Sequence, residues 1–168
     1  MISAAPRIIL LMGVAGSGKT TVGRLLASEL EWPYFEADDF HPAINKEKMS
    51  QSIPLNDADR APWLAAIRAQ IDKCLATGQS AVFTCSALKE KYRQILMGNI
   101  PAVKLVYLAA DLATIQTRVS QREAHFMKAD MVQSQFAALE VPADALTLDT
   151  RNSPESIVAK IKQALNQR

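Results

Sequence analysis

Much of what would mark a specialised protein is missing from this chain. It has two cysteines, Cys74 and Cys85, in neither a C-x-x-C nor a metal-type spacing. That excludes a disulfide scaffold and a thiolate zinc site. Both lie in apolar stretches, where a buried free thiol is expected, and a reducing compartment, the cytoplasm, follows. No apolar run nears the roughly 20 residues that span a bilayer, so no membrane segment is expected. The formal net charge is only +2, with lysines and arginines scattered among the acids. No basic stripe is left to serve as a nucleic-acid platform. Repeats, linkers and low-complexity segments are absent, so nothing divides the chain into units. Arg7 and the apolar stretch after it look superficially like a signal peptide, but that stretch reads as a strand running straight into Gly13. What remains is 168 residues, 49% apolar and 21% charged. That suits one globular domain, residues 1–168, with a full core.

The informative stretch is Gly13-Val14-Ala15-Gly16-Ser17-Gly18-Lys19-Thr20. It matches the phosphate-loop pattern of two glycines with four residues between them, then Lys and Ser/Thr. The glycines let the backbone turn tightly and approach an anion. The N–H groups between them form a concave nest for phosphate oxygens. Lys19 can reach the β- and γ-phosphates, and the Thr20 hydroxyl can take a place on Mg²⁺. The context agrees. Ile8-Ile9-Leu10-Leu11-Met12 reads as a strand buried on both faces, and Val22, Leu25, Leu26 and Leu30 recur at helical spacing. The expected ligand is a nucleoside triphosphate, on Gly13 to Thr20 and Thr21, at the positive end of the helix that starts here.

Further along, Trp32 to Phe35 predicts a second strand ending in the acids Glu36, Asp38 and Asp39. In a parallel sheet those carboxylates share an edge with the phosphate loop. One can hold Mg²⁺, directly or through water (Glu36 or Asp38), and one can accept a proton from an attacking hydroxyl. His41 sits near a turn, a placement more often structural. Asp59 or a neighbour is placed to cap a helix with Pro62 in its first turn. Arg60, beside it, suits a carboxylate or phosphate, or equally an ion pair with Asp57 or Asp59. Gly78 is placed to end that helix. Ala81 to Cys85 predicts a third strand. Ser86 is placed to cap a helix carrying Lys89, Tyr92 and Arg93 on one face. Val103 to Leu108 is a fourth strand, followed by helices from Leu112 to about Arg122 and from Met131 to Leu139. Arg118 and Arg122, four apart, face the same way, as lid arginines would over an active site. A short fifth strand from Ala145 to Asp149 precedes a last helix with Ser153 as cap and Pro154 at its first position. The fold expected is α/β, a three-layer sandwich around a five-stranded parallel sheet.

Taken together, these groups resemble the bacterial gluconate kinases, small phosphate-loop enzymes related in fold to shikimate kinases. The resemblance rests on the phosphate loop and on Asp38-Asp39-Phe40-His41-Pro42, with Asn45 and Lys48-Met49. It continues in Pro54-Leu55-Asn56-Asp57 with Asp59-Arg60 and Pro62-Trp63-Leu64, and in Cys85-Ser86-Ala87-Leu88-Lys89 with Tyr92-Arg93. Arg122, His125-Phe126-Met127 and Ser134-Gln135-Phe136 complete it. It implies transfer of the ATP γ-phosphate to the 6-hydroxyl of D-gluconate, with Mg²⁺, a helical lid over about 118–140 and a homodimer. It implies that Asp38 orients and deprotonates the hydroxyl, with Lys19 and Arg122 on the transferring group. Asp39, His41, Arg60, Lys89, Arg93 and His125 become candidates for the sugar acid, Arg118 for the nucleotide, and Arg151 and Asn152 for neighbours of adenine. The chain departs from the family at Ala15, Ala37, Ser52 and Lys128. Ala37 and Ser52 stand where glycine is usual, so a backbone angle beside the sugar pocket is expected to differ. A kinase for another small hydroxy acid or a nucleoside monophosphate, and a nucleotide-driven switch, are the competing readings.

Overall fold

The computed structural model describes residues 5–121 and 129–167. Five strands form one parallel sheet: β1 (Ile8–Met12), β2 (Tyr34–Glu36), β3 (Ala81–Thr84), β4 (Val103–Ala109) and β5 (Leu146–Asp149). Their order is β2-β3-β1-β4-β5, which puts β1 in the centre. Seven helices connect them: α1 (Lys19–Leu30), α2 (Ala43–Ser50), α3 (Asp57–Ala76), α4 (Glu90–Met97), α5 (Leu112–Ser120), α6 (Ala129–Ala138) and α7 (Pro154–Asn166).

The unbroken apolar run of β1 makes sense because side chains alternate across a strand and both faces are covered. Ile8, Leu10 and Met12 pack with Trp63, Leu64, Ile67 and Ile71 of α3 and Leu96 of α4. Ile9 and Leu11 pack with Val22 and Leu26 of α1 and Ile157, Val158 and Ile161 of α7. Helix α1 lies so close to the sheet that a Cβ on Gly23 would stand 2.6 Å from Thr84 Cγ2. A third, smaller cluster joins Val14 of the phosphate loop and Leu88 to Ile115 of α5 and Val132 of α6. It seats the α5–α6 pair over the carboxyl edge of the sheet.

The expected strands and most helices are present, with three local differences. The second strand starts at Tyr34 rather than Trp32, and Asp38 and Asp39 lie beyond it in a 3-10 turn, Ala37–Phe40. That turn is fixed from outside, by the Trp63 indole N–H donating 2.7 Å to Ala37 O. Helix α3 begins earlier than Pro62 suggested. Asn56 is its cap, and Asn56 and Asp59 exchange side-chain-to-backbone hydrogen bonds at 2.8 and 3.0 Å. Ser86 is not a cap; α4 starts at Glu90 with Lys89 before it. At the far end Gly78, with φ of 70°, follows α3 as expected, and Ser153 caps α7 with Pro154 at its start.

Candidate active site

Parallel strands bring their carboxyl ends to one edge, and the chemistry-bearing residues gather there. The phosphate loop runs from β1 into α1. A Cβ on Gly13 would stand 2.8 Å from Leu108 O, so only glycine fits there. Gly18 just ahead of α1 takes φ of 96°, a left-handed angle that glycine adopts freely. Lys19 Nζ donates to Gly13 O at 2.9 Å and to Val14 O at 3.0 Å, which folds its ammonium over the first limb of the loop. Burial pushes the Lys19 pKa down, and the charges of Asp38 and Glu36 oppose that shift.

Thr20 Oγ1 donates to Glu36 Oε2 at 3.0 Å, and Tyr34 Oη donates to the same oxygen at 2.5 Å. Burial, then the Glu36 carboxylate, push the Tyr34 hydroxyl up to about 12. Asp38 stands in the turn beyond. Burial raises its pKa above the ordinary carboxylate value, the Glu36 charge adds to that, and Lys19 works against it. Thr20 and Glu36 are the oxygen donors that a magnesium ion shares with phosphates and water. Among the described residues no three His, Cys, Asp or Glu side chains gather to hold a metal by themselves. With these two oxygens, a metal at this edge would fit as the partner of a phosphate. Cys85, at the end of β3, is fully buried, and that burial pushes its thiol up to about 12. It has the character of a core residue, not a nucleophile.

The region expected to take the sugar acid divides. His41 lies flat on Trp63, with ring centroids 4.3 Å apart and planes 11° from parallel, and Asn45 Nδ2 is 3.3 Å from its Nδ1. Burial first, then Arg60 and Lys46, push its pKa down to about 4. Asn45 also donates to Asp59 O at 2.8 Å, and Lys48 to Asp59 Oδ1 at 2.8 Å, which fastens α2 to the start of α3. Arg60 is half-buried. Its Nη1 is 3.3 Å from Tyr92 Oη and only 4.0 Å from the Asp57 carboxylate, so the ion pair weighed for it is loose. Asp57 is held instead by Tyr92 Oη at 2.6 Å and by Lys91.

Lys89, Tyr92 and Arg93 do not share one exposed face. Lys89 precedes the helix, and the Arg93 guanidinium turns inward. It donates to Ala87 O at 2.9 Å, Leu88 O at 3.0 Å, Glu140 O at 2.9 Å and Glu90 Oε2 at 2.9 Å. With both terminal nitrogens taken by these acceptors, Arg93 is a clamp on the loop 85–88 and not a free cation for substrate. The clamp explains why Ala87 keeps φ of 44°, a left-handed angle that strains a non-glycine residue. Contrary to the expected change of angle, Ser52 keeps a left-handed φ of 58°, the kind a glycine adopts freely, whereas Ala37 adopts no positive φ.

On the opposite side of the loop, Arg118 of α5 donates to Gly16 O at 3.4 Å and to Thr150 O at 2.5 Å. It thereby ties the phosphate loop to the turn after β5. In that turn Arg151 pairs with the Asp149 carboxylate, and Asn152 Nδ2 donates to Asp149 O at 3.0 Å. Ala109, Ala110, Asp111, Asp149 and Arg151 line a cavity of about 250 Å³ there. Arg122 and His125 lie outside the described residues. One contact went unnoticed in the sequence: the Ala15 N–H donates 2.6 Å to Gln135 Oε1 of α6. The Ser134-Gln135-Phe136 group was visible, but no spacing rule connects it to a loop 120 residues away.

Comparison with known proteins agrees with this geometry. The model of a family described as AAA domain matches residues 8–146. The chain is 46% identical over 139 residues to the gluconokinase of Gluconobacter oxydans, covering 83% of this chain and 78% of that one. Among solved structures, a sugar kinase from Janibacter sp. HTCC2649 superposes with a TM-score of 0.87 at 40% identity, covering 96% of this chain and 95% of that one. A gluconokinase from Sinorhizobium meliloti 1021 superposes with a TM-score of 0.81 at 35% identity, covering 96% of each. A phosphate loop on the central strand, an aspartate whose charge is coupled to the loop lysine and relatives similar over most of their length lead to one assignment: the chain belongs to the gluconokinase family of phosphate-loop kinases.

Proposed function

We propose that this protein transfers the γ-phosphate of ATP to the 6-hydroxyl of D-gluconate, giving 6-phospho-D-gluconate and ADP. The observation that carries the reading is the meeting of Lys19, Glu36 and Asp38 at one sheet edge, in a chain whose relatives are named gluconokinases. Phosphoryl transfer asks the protein mainly for alignment and charge neutralisation. The loop N–H groups and Lys19 hold the phosphates; Thr20 and Glu36 are the residues that would hold Mg²⁺, which when bound would supply charge neutralisation. Asp38 orients the sugar hydroxyl and takes its proton; its raised pKa makes it a better base than a carboxylate at the ordinary value. Arg60, Lys89 and Asp39 bind the sugar acid, with His41 and Trp63 forming the wall behind them. Arg118, Arg151 and Asn152 border the base end of the nucleotide, and Arg122 and His125 act from the lid, residues 118–140 of the single domain.

Both cysteines are free thiols, which supports a cytoplasmic placement, and no described helix is long and apolar enough to cross a membrane. A homodimer belongs to the same proposal and is read by light scattering. The central test is coupled ADP release by the purified chain with Mg²⁺. D-gluconate is compared with other sugar acids, shikimate and nucleoside monophosphates. Strong stimulation by gluconate alone is expected. Stimulation by another acceptor reassigns the pocket, and none with ATP bound makes the chain a nucleotide switch.

A further inference from the structure

The Gln135 carboxamide oxygen occupies a donor that a phosphate would use. It accepts from the Ala15 backbone N–H at 2.6 Å. Because that donor is a backbone amide, the oxygen end of the carboxamide must face it. The position of Ala15 in the loop matters. Lys19 Nζ lies on Gly13 O and Val14 O, over the same limb. A phosphate-loop lysine addresses the β- and γ-phosphates, so this limb is the γ end of the nest. The amides at Gly18 and the start of α1 serve the inner phosphates.

Gln135 is also firmly placed. It lies on α6, five residues before Glu140, which follows the helix and whose N–H donates 2.8 Å to Leu88 O and whose carbonyl receives the Arg93 guanidinium. Val132, one turn earlier, is buried with Val14 of the same loop. The side chain is therefore delivered to Ala15 by a helix anchored before and after it.

We infer that Gln135 is a specificity-determining residue that sets the discrimination between nucleoside tri- and diphosphate. A γ-phosphate oxygen and the Gln135 oxygen compete for the Ala15 N–H. A diphosphate does not reach that limb and coexists with the contact. The residue thus lowers affinity for ATP relative to ADP, and the competition ends when the γ-phosphate has moved to the acceptor. This rests on the kinase reading of the site.

The test is direct binding of AMPPNP and of ADP, each with Mg²⁺ and without acceptor, to the full chain and its variants. Gln135→Met keeps the length of the side chain and removes the acceptor. Given the net worth of one hydrogen bond, it should tighten AMPPNP binding by about three- to tenfold and leave ADP within about twofold. Gln135→Glu puts a charge at the same place and should weaken AMPPNP more than ADP; it serves also if the Met variant does not fold. Unchanged or weaker AMPPNP binding in Gln135→Met, or an equal change for both nucleotides, overturns the proposal. A wild-type chain that binds neither nucleotide overturns the kinase site itself, a result distinct from both nucleotides binding with a fixed ratio.

Discussion

Thr20 and Glu36, sixteen residues apart in the chain, meet at 3.0 Å through the threonine hydroxyl and one carboxylate oxygen. One closes the phosphate loop that follows β1, and the other ends the edge strand β2, with β3 between the two strands. If this pair faces magnesium, Glu36→Gln should raise the half-saturating Mg²⁺ concentration by about tenfold or more, as for other groups that orient a metal's surroundings. Turnover at saturating metal should fall less. A magnesium titration of gluconate-stimulated ADP release reads both, and an unchanged titration midpoint removes Glu36 from the metal's neighbourhood.

Asp38→Asn should lower kcat by about a hundredfold or more, the range for a lost acid–base group. The wild-type rate should fall as pH drops through the raised Asp38 pKa, at a higher pH than a carboxylate at the ordinary value would give. The variant should lose that limb. Stability runs the other way. Because the folded pKa is raised, the contribution of this group is fully present below its ordinary value of 3.8 and is lost as pH rises through the folded value. Asp38→Asn should therefore melt at a higher temperature than wild type at pH 7. A melting temperature that drops would show that the ionised carboxylate is held, not strained.

His41 makes the opposite prediction on acidification. Its folded pKa is about 4, below its ordinary 6.5. Its stabilising contribution is present above 6.5 and is lost as pH falls from there through 4. His41→Phe keeps a ring on Trp63 and removes the titration, so thermal melts between pH 7 and 4 should show a flatter decline. Parallel curves for the two proteins would place the acid sensitivity elsewhere.

Arg93 and Arg60 should separate cleanly. Arg93→Met strands the carbonyls of Ala87, Leu88 and Glu140, which should destabilise the fold by about 3 kcal/mol in urea unfolding. Arg60→Ala should leave stability and ATP affinity nearly unchanged and raise the gluconate KM. If Arg93→Met left stability unchanged and raised only the gluconate KM, the clamp described for it would be wrong.

At Ser52 a left-handed angle of 58° is carried by a residue with a Cβ. Ser52→Gly should stabilise the chain by about 1 kcal/mol, the strain relieved outweighing the added freedom of the unfolded chain. A variant less stable than wild type would mean that Ser52 makes contacts worth more than its strain.

The sheet was legible because β1 is an unbroken apolar run buried on both faces, and β3 and β4 are mostly apolar and buried, with Lys104 the exposed exception in β4. The phosphate loop was legible because its chemistry is local, with every atom supplied within eight consecutive residues. What could not be read were contacts made across the chain. The inward turn of Arg93 depends on Glu140, and the stacking of His41 depends on Trp63; helical spacing cannot distinguish such a residue from an exposed one. The start of α3 was misplaced because Pro62 looked like a first-turn residue, while the stronger cap, Asn56 with Asp59, lay a turn and a half earlier. Gln135 was invisible for the same reason. Its partner is a backbone amide, which leaves no mark in the identity of residue 15.

Cys74 and Cys85, the chain's two thiols, are both sealed in the core. A thiol reagent added to the native protein therefore has nothing at the surface to modify. Its uptake is governed by how often the interior opens, and the two positions report on separate places, Cys74 within α3 and Cys85 beside the phosphate loop. Without any engineered label, the rate at which each sulfur reacts is a clock for the opening of its own neighbourhood. Slower reaction at Cys85 alone when nucleotide is added would locate the stiffening that ligand brings to the catalytic edge.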